Sequence, residues 1–259
     1  MSCMRGRCIS VPHWLILDAG NSRLKFGLWD GHRVHATGAV SWSGDWPGEL
    51  DMALAAMARP ERVVVGSVHQ TATVEALEAI SRRRWGCPLT RITTTAAACG
   101  VQNGYRDYRQ LGVDRWAAVV AAHLRAPEAW HLVIDVGTAA TVDVVGPRGD
   151  YRGGAIFPGL RLLADALGSG TAGLPSLAGE AVPLPARSTP DAIRGGVVHG
   201  LAGALRHLAS EMLPAEAVRP RRWLTGGDAG RLQPLLPQGA VWAPDLVLEG
   251  LAQLARESG

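Results

Sequence analysis

Residues 15–22 read Leu-Ile-Leu-Asp-Ala-Gly-Asn-Ser, and residues 132–139 repeat this outline as Leu-Val-Ile-Asp-Val-Gly-Thr-Ala. In each copy three apolar residues lead into Asp-x-Gly and a small residue, and a second strand-like run follows at 24–29 and at 141–145. Two short apolar runs separated by a turn that contains glycine are typical of a β-hairpin. Two such hairpins at the same offset, 132 minus 15 or 117 residues, predict a duplicated α/β fold whose halves join near 126–128.

The rest of the chain alternates between strand and helix patterns, which predicts α/β architecture with mixed or parallel sheets. We expect strands at 63–68, 89–93, 153–158 and 223–225, and helices at 50–57, 74–85, 114–124, 160–167 and 189–212. We expect three segments in all: a disordered leader at 1–12, an N-terminal half at 13–127 and a C-terminal half at 128–259.

Composition excludes several classes of protein. With 259 residues, 47% hydrophobic and 19% charged, the chain can bury a core, so disorder is excluded as its main state. No uncharged apolar run reaches the roughly 18 residues of a membrane span, and the leader lacks the apolar segment of a signal peptide. We therefore expect a cytoplasmic protein without a membrane partner. The four cysteines lack metal-ligand spacing, and the small, dispersed net charge of +3 argues against a nucleic-acid partner.

The only lysine of the chain is Lys25, since the other 25 of its 26 basic residues are arginines. A Walker-type phosphate loop requires Gly-Lys followed by Ser or Thr, whereas Lys25 lies between leucine and phenylalanine. The first hairpin offers a different phosphate site: a carboxylate at a strand end, a glycine, and amide, hydroxyl and ammonium donors close behind. In a single copy, Asp and Gly would more simply be turn formers. Two copies favour a pair of hairpins that clamp one phosphate chain.

Two further positions have both a capping and a functional interpretation. Asp114 is placed either to cap the helix that follows or to orient a hydroxyl for phosphoryl transfer, with Arg115 available to an anionic group of the substrate. Thr189 either caps the next long helix, a role that Ser188 could also fill, or contacts a ligand.

Glycine and arginine clusters receive simpler interpretations. Residues 168–173 fit G-x-G-x-x-G but follow a helical segment, so we interpret them as a loop and exclude a dinucleotide site. Gly226 and Gly227 follow a strand and form either a tight turn or a surface for a nucleoside. The arginines at 82–84 and 219–222 are expected to be solvated.

Five motifs, in order, resemble those of type III pantothenate kinases. They are residues 18–22 (Asp-Ala-Gly-Asn-Ser), 112–116 (Gly-Val-Asp-Arg-Trp), 135–139 (Asp-Val-Gly-Thr-Ala), 153–159 (Gly-Gly-Ala-Ile-Phe-Pro-Gly) and 225–227 (Thr-Gly-Gly). The resemblance implies the duplicated, ribonuclease H-like fold of actin, Hsp70 and the acetate and sugar kinases. It also implies a homodimer that uses ATP with Mg2+, and potassium or ammonium, to phosphorylate the 4′ hydroxyl of pantothenate, the first step toward coenzyme A.

The resemblance also implies roles for single residues. Asp114 would be the proton acceptor, and Asp135 would hold the monovalent cation. The ATP-binding residues would be Asp18, Ala19, Gly20, Asn21, Ser22, Arg23, Leu24, Lys25 and Thr138. The pantothenate-binding residues would be Tyr105, Gly112, Val113, Asp114, Arg115 and Thr189. Ser22 stands where the family usually has threonine, which keeps the hydroxyl, and the family generally lacks the leader.

The sequence gives a separate argument for a cation at Asp135. We expect this carboxylate to be buried at a strand end, and no Lys or Arg lies between residues 131 and 148 to pair with it. A divalent metal with ATP or a monovalent ion would satisfy it. Two other functions stay open: a transcriptional activator like the Bvg accessory factor of the same family, and another small-molecule kinase or phosphatase of the superfamily.

Overall fold

The computed structural model describes residues 13–168, 184–236 and 238–258. The leader at 1–12 and most of the glycine-rich stretch, residues 169–173, lie outside these ranges. The chain divides into two compact units, Met1–Thr93 and Thr94–Gly259. This boundary precedes the join expected near residue 127, because the helix at 113–125 packs within the second unit. The division into duplicated halves at that join stays a prediction.

Over its described residues, 13–93, the first unit is a five-stranded sheet with two helices. Its strands are β1 (Trp14–Ala19), β2 (Arg23–Trp29), β3 (Val34–Ser41), β4 (Arg62–Ser67) and β5 (Leu89–Ile92), and its helices are α1 (Trp46–Ala53) and α2 (Thr71–Trp85). The strand order is β3-β2-β1-β4-β5, with β1 antiparallel to β2 and parallel to β4. Alternate residues of β1, among them Leu15 and Leu17, form a core with Val74 and Leu77 of α2.

The second unit begins with a small ribbon and continues into a second five-stranded sheet. Its strands are β6 (Ala97–Ala98), β7 (Val101–Gln102), β8 (His131–Val136), β9 (Ala139–Val145), β10 (Tyr151–Pro158), β11 (Arg221–Thr225) and β12 (Ala240–Trp242). Its helices are α3 (Val113–Arg125), α4 (Leu160–Gly168), α5 (Thr189–Met212), α6 (Ala229–Leu232) and α7 (Leu246–Glu257), with single 3-10 turns at Tyr108–Gln110 and Gln233–Leu235. The sheet order is β10-β9-β8-β11-β12.

The two large sheets have the same topology, which confirms the α/β class and the duplication that the repeated motif predicts. Each sheet has a central strand that pairs antiparallel with the strand after it and parallel with the next strand of the sheet. In the first hairpin Asp18 lies opposite Lys25, and in the second Asp135 lies opposite Thr141. Both aspartates therefore lie at the carboxyl end of a central strand, next to a turn.

Helices cover both faces of the second sheet. Leu132, Ile134 and Val136 of β8 pack with α4 and α5 in one core. Helix α3 packs on the other face, against β8 and β9, and pairs with α7. A Cβ atom at Gly250 of α7 would lie 1.9 Å from the carbonyl oxygen of Ala117 in α3, so the close contact of the two helices requires glycine there. This packing fixes the start of α3, where Asp114 lies.

Element ends differ from the predicted ones where tertiary contacts or caps intervene. The first helix starts at Trp46 rather than at residue 50, because Asp45 caps it by accepting a hydrogen bond from the Gly48 amide. The structure also contains β3, β12 and α7, which the sequence patterns above do not predict. The long helix begins where predicted, at Thr189 after the Ser188 cap, and ends at Met212.

His131, at the start of β8, joins three elements of the second unit. The Trp223 indole N–H of β11 donates to its Nδ1 at 2.9 Å, and its Nε2 lies 2.9 Å from the carbonyl oxygen of Ala126, just after α3. An indole can only donate, so Nδ1 accepts and the proton lies on Nε2. Burial lowers the pKa of this fully buried imidazole to about 4.

We expect this histidine to make folding stability depend on pH. Its folded pKa lies below the unfolded value of about 6.5, so its contribution is complete above pH 6.5 and is lost as the pH falls toward 4. Between pH 7.5 and 5 the free energy of unfolding should fall by about 2 kcal/mol more in the wild type than in His131→Gln. Urea unfolding at both pH values measures this difference. The control is His32→Gln, at an exposed position, in which the free energy of unfolding should depend on pH as in the wild type. If His131→Gln also kept the wild-type pH dependence, His131 would not be its source.

Candidate active site

The first hairpin presents a polar turn at the end of a buried strand. Asp18 is buried at the end of β1, whereas the turn residues Asn21, Ser22 and Arg23 are exposed. The Gly20 amide donates to the carbonyl oxygen of Arg23 at 3.2 Å and closes the turn. Among the predicted ATP-binding residues, Ala19 and Leu24 have side chains in the hydrophobic core, so only their backbone groups could meet a ligand.

Trp42 supports this turn from the end of β3, a role that no sequence motif indicates. Its indole N–H donates to the carbonyl oxygen of Gly20 at 2.7 Å, and its backbone N–H donates to the carbonyl oxygen of Ser22 at 3.5 Å. The Trp42 ring also contacts the rings of Trp46 and His69, at centroid distances of 5.2 and 4.8 Å. The turn conformation therefore depends on a residue about twenty positions away in the sequence.

The second hairpin has a similar turn. The Gly137 amide donates to the carbonyl oxygen of Ala139 at 2.9 Å, and Thr138 accepts a backbone bond from Gly159 at 3.0 Å. Asp135 is half-buried rather than buried, and it has an interaction of its own within the protein. The argument for a cation at Asp135 assumes that its carboxylate is buried and unpaired. This premise is wrong, because the end of β8 is partly open to solvent.

The Gly226–Gly227 turn lies directly beside Asp135. A Cβ atom at Gly226 would come within 2.4 Å of the Asp135 Oδ1 and 2.3 Å of the Val136 carbonyl oxygen, and Gly226 has a positive φ of 98°. These contacts explain why residue 226 is a glycine, as the tight-turn interpretation requires. The carboxylate of Asp135 therefore lies among backbone groups of two neighbouring strand ends.

Asp114 lies in the first turn of α3 and is not its N-cap. Gly112 occupies the capping position, and its carbonyl oxygen accepts from the Trp116 amide at 2.9 Å. Asp114 Oδ1 accepts from the Arg115 amide at 2.8 Å, and the residue is half-buried. The amino end of a helix favours negative charge, so this position suits an acidic side chain.

The Arg115 guanidinium is buried and already bound within the protein. Its Nε and Nη2 donate to the two carboxylate oxygens of Asp143 at 3.1 and 2.5 Å, and its Nη1 donates to the Tyr105 hydroxyl at 2.8 Å. Arg115 is therefore not the free cation that the sequence suggested, because Asp143 neutralises it. The structure brings Tyr105 and Arg115, two predicted pantothenate-binding residues, into contact, and Asp143 and Tyr151 are the neighbours that sequence reasoning missed.

Thr189 does not cap α5. Ser188 Oγ accepts from the Asp191 amide at 3.3 Å and donates to the Asp191 carboxylate at 2.8 Å, which leaves Thr189 exposed in the first turn. Helix α5 and helix α3 lie on opposite faces of the second sheet, and a contact of Thr189 with pantothenate stays a prediction.

The sequence profile of the type III pantothenate kinase family matches residues 14–211 of this chain. The chain belongs to the type III pantothenate kinase family. A type III pantothenate kinase of Halorhodospira halophila is 42% identical over 249 residues, which cover 93% of this chain and 97% of that protein. Another, from Nitrosospira multiformis, is 37% identical and covers 95% of this chain and 92% of that protein.

Solved structures that resemble this kinase-family chain confirm the actin-like fold. Component A of the (R)-2-hydroxyglutaryl-CoA dehydratase of Acidaminococcus fermentans aligns with a TM-score of 0.58 at 15% identity, covering 95% of this chain and 99% of that one. An archaeal actin homologue aligns with a TM-score of 0.53 at 13% identity, covering 94% and 99%. At these identities the likeness concerns the fold alone.

Neither a membrane helix nor a multi-ligand metal centre occurs in the parts of the chain that the structure describes. No helix there has the length and apolar character needed to cross a bilayer. No group of three or more His, Cys, Asp or Glu side chains is placed to hold a metal ion in those ranges. A divalent ion bound mainly by nucleotide phosphates needs only one or two protein carboxylates, and Asp18 offers one beside its exposed turn.

Proposed function

We propose that this protein transfers the γ-phosphoryl group of ATP to the 4′ hydroxyl of pantothenate, the first step of coenzyme A biosynthesis. Its family and the names of its relatives support this kinase activity. The observation that carries the reaction is the Asp114 carboxylate, half-buried in the first turn of α3 and adjacent in sequence to Arg115, which binds Tyr105. A transcriptional activator or a different kinase is not favoured, because relatives that are 33–42% identical carry the pantothenate kinase name.

The residues of the site have separate tasks in the proposed reaction. Asp114 orients the substrate hydroxyl and accepts its proton late, because an alcohol is a much weaker acid than a carboxylic acid. Tyr105, Gly112, Val113, Arg115 and Thr189 bind pantothenate. The turn after Asp18 binds the ATP phosphates through backbone amides and the side chains of Asn21, Ser22 and Lys25, and Thr138 makes a further contact with ATP.

The cofactors and assembly belong to the same proposal. Mg2+ neutralises the charge on the phosphates and is held by ATP together with Asp18. A monovalent cation, potassium or ammonium, binds at Asp135. We propose a cytoplasmic homodimer, because the resemblance to the family implies a dimer and the reaction consumes ATP. Light scattering coupled to size exclusion measures the assembly.

A coupled ADP-release assay tests the proposed function directly. With ATP, Mg2+ and potassium present, the rate should depend on pantothenate, and mass spectrometry should detect 4′-phosphopantothenate. Equal ADP release with and without pantothenate would contradict the proposal, and salt-dependent binding to duplex DNA would favour the activator instead.

The Trp42 contact predicts a selective effect on ATP. Trp42→Phe keeps an aromatic ring but removes the indole donor to Gly20, so the phosphate-binding turn loses one support. We expect the KM for ATP to rise about three- to tenfold, the range for one neutral hydrogen bond, while the KM for pantothenate stays within twofold. The matched control is Trp46→Phe, which makes the same substitution in the neighbouring ring, 5.2 Å from that of Trp42. An unchanged KM for ATP in Trp42→Phe would show that the turn keeps its shape without this bond.

A further inference from the structure

A buried polar cluster in the second unit extends beyond the residues assigned to the site so far. It consists of Arg115, Asp143, Tyr151 and Tyr105, and we call it the arginine–aspartate cluster. Asp143 on β9 and Tyr151 on β10 are 2% and 1% exposed. The Tyr151 hydroxyl donates to Asp143 Oδ1 at 2.6 Å and accepts from Arg115 Nη2 at 3.1 Å. The Tyr151 ring is stacked on that of Tyr105 at a centroid distance of 5.8 Å.

Burial and charge affect the protonation of Tyr151 and Arg115. Burial and the adjacent Asp143 charge raise the pKa of Tyr151, so its hydroxyl keeps the proton that it donates. Burial by itself lowers the pKa of Arg115. The hydrogen bonds to Asp143 and the negative charge of that carboxylate outweigh burial and raise the pKa, so the guanidinium stays charged. Because a guanidinium can only donate, the cluster holds the Tyr105 hydroxyl as the acceptor of an Arg115 N–H.

Gly154 leaves space in the backbone of β10 for the arginine–aspartate cluster. Gly154 pairs with Asp143 across β9 and β10. A Cβ atom at Gly154 would lie 2.2 Å from Asp143 Oδ1 and 2.3 Å from Arg115 Nη2. Any side chain there would displace the guanidinium, which explains a glycine in the middle of a strand.

A buried ion pair contributes little net stability, because desolvation of both charges offsets their attraction. An apolar replacement is often as stable. The arginine of this pair directly follows Asp114 in the first turn of α3. Its guanidinium also binds the Tyr105 hydroxyl. We propose that Asp143 and Tyr151 are positioning residues for pantothenate, which fix the Arg115 guanidinium and through it the Tyr105 hydroxyl. The inference rests on the proposed function, in which Tyr105 and Arg115 bind pantothenate.

Tyr151→Phe tests this role with little change in packing. The variant keeps the ring that stacks on Tyr105 and removes one donor to Asp143 and one acceptor for Arg115. We expect the KM for pantothenate to rise roughly tenfold, as for loss of hydrogen bonds to charged groups, while kcat and the KM for ATP stay within twofold. Tyr108→Phe is the matched control, because Tyr108 is exposed and lies outside the cluster, so its kinetic constants should stay at the wild-type values.

A double-mutant cycle tests whether Tyr151 acts through Tyr105. If it does, Tyr105→Phe combined with Tyr151→Phe should raise the KM for pantothenate no more than Tyr105→Phe alone. Multiplicative effects of the two substitutions would overturn the proposed path. Asp143→Asn should raise the same KM more than Tyr151→Phe, but it also weakens a buried ion pair, so Tyr151→Phe decides the outcome if Asp143→Asn does not fold.

The kinetic pattern separates positioning from a structural role. A purely structural loss would lower the active fraction, and with it kcat, while both KM values stayed unchanged, and this result would overturn the inference. The wild-type assay tests the proposed function itself. Pantothenate-dependent ADP release by the wild type with unchanged KM values in Tyr151→Phe would reject only the positioning role, whereas its absence in the wild type would reject the proposed function.

Discussion

Asp114→Asn should lower the pantothenate-dependent kcat by at least about a hundredfold, the lower range for loss of a general base. Asparagine has nearly the same shape and still offers an oxygen to the Arg115 amide, which Asp114 Oδ1 binds at 2.8 Å. Helix α3 is held by its buried apolar face and by its contact with α7, so the fold should persist. The substitution therefore removes the negative charge of the proposed proton acceptor from the first turn of α3 without removing the helix.

Single-turnover and steady-state ADP release measure this loss, and circular dichroism checks that the variant is folded. Asp30→Asn is a matched control, because Asp30 is a turn residue of the first unit that accepts from the His32 and Arg33 amides. Its kcat should stay near that of the wild type. If Asp114→Asn retained more than a tenth of the wild-type kcat, a loss below about 1.4 kcal/mol, Asp114 would have no catalytic role.

Replacing potassium with sodium at constant ionic strength should lower activity by about tenfold or more. Because Asp135 is half-buried and has an interaction within the protein, the prediction rests on the chemistry of the site and on the family resemblance, not on an unsatisfied charge. One carboxylate beside the backbone of the Gly226 turn supplies a single negative charge, which suits a monovalent ion better than a divalent ion without further carboxylates. Sodium holds its water more tightly than potassium, so a site with few ligands should favour potassium or ammonium.

Asp135→Asn should flatten this ion dependence, so that the rates in potassium and sodium differ by less than twofold. Initial rates in potassium, ammonium and sodium chloride at saturating Mg2+ and ATP measure the effect. Asp165→Asn, in an exposed pair with Arg161 on α4, should keep the wild-type ratio. Equal wild-type rates in sodium and potassium would reject a monovalent cation requirement, and an unchanged ratio in Asp135→Asn would place the ion elsewhere.

Local patterns were sufficient for the hairpins and most helices. A strand that is buried along its length, a turn with glycine and a capping serine are properties of consecutive residues, so the duplicated hairpins and the start of α5 at Thr189 could be predicted. Strand β3 carries histidine and glycine and lies at the sheet edge, so its pattern is weak and it was not assigned. The residue that follows it is nevertheless Trp42, which supports the turn of the first hairpin.

Local sequence patterns are enough to establish the fold class, the family motifs and the residue types available for phosphoryl transfer. The partners of those residues follow from the folded arrangement alone, because hydrogen bonds and burial depend on residues that are distant in the chain. The sequence pattern favours Arg115 as a free cation, whereas in the structure Asp143, 28 residues later, binds its guanidinium. The apolar strand before Asp135 predicts a buried carboxylate, whereas in the structure the strand end is partly open. A motif specifies the chemical groups, whereas packing determines their charge balance, exposure and orientation.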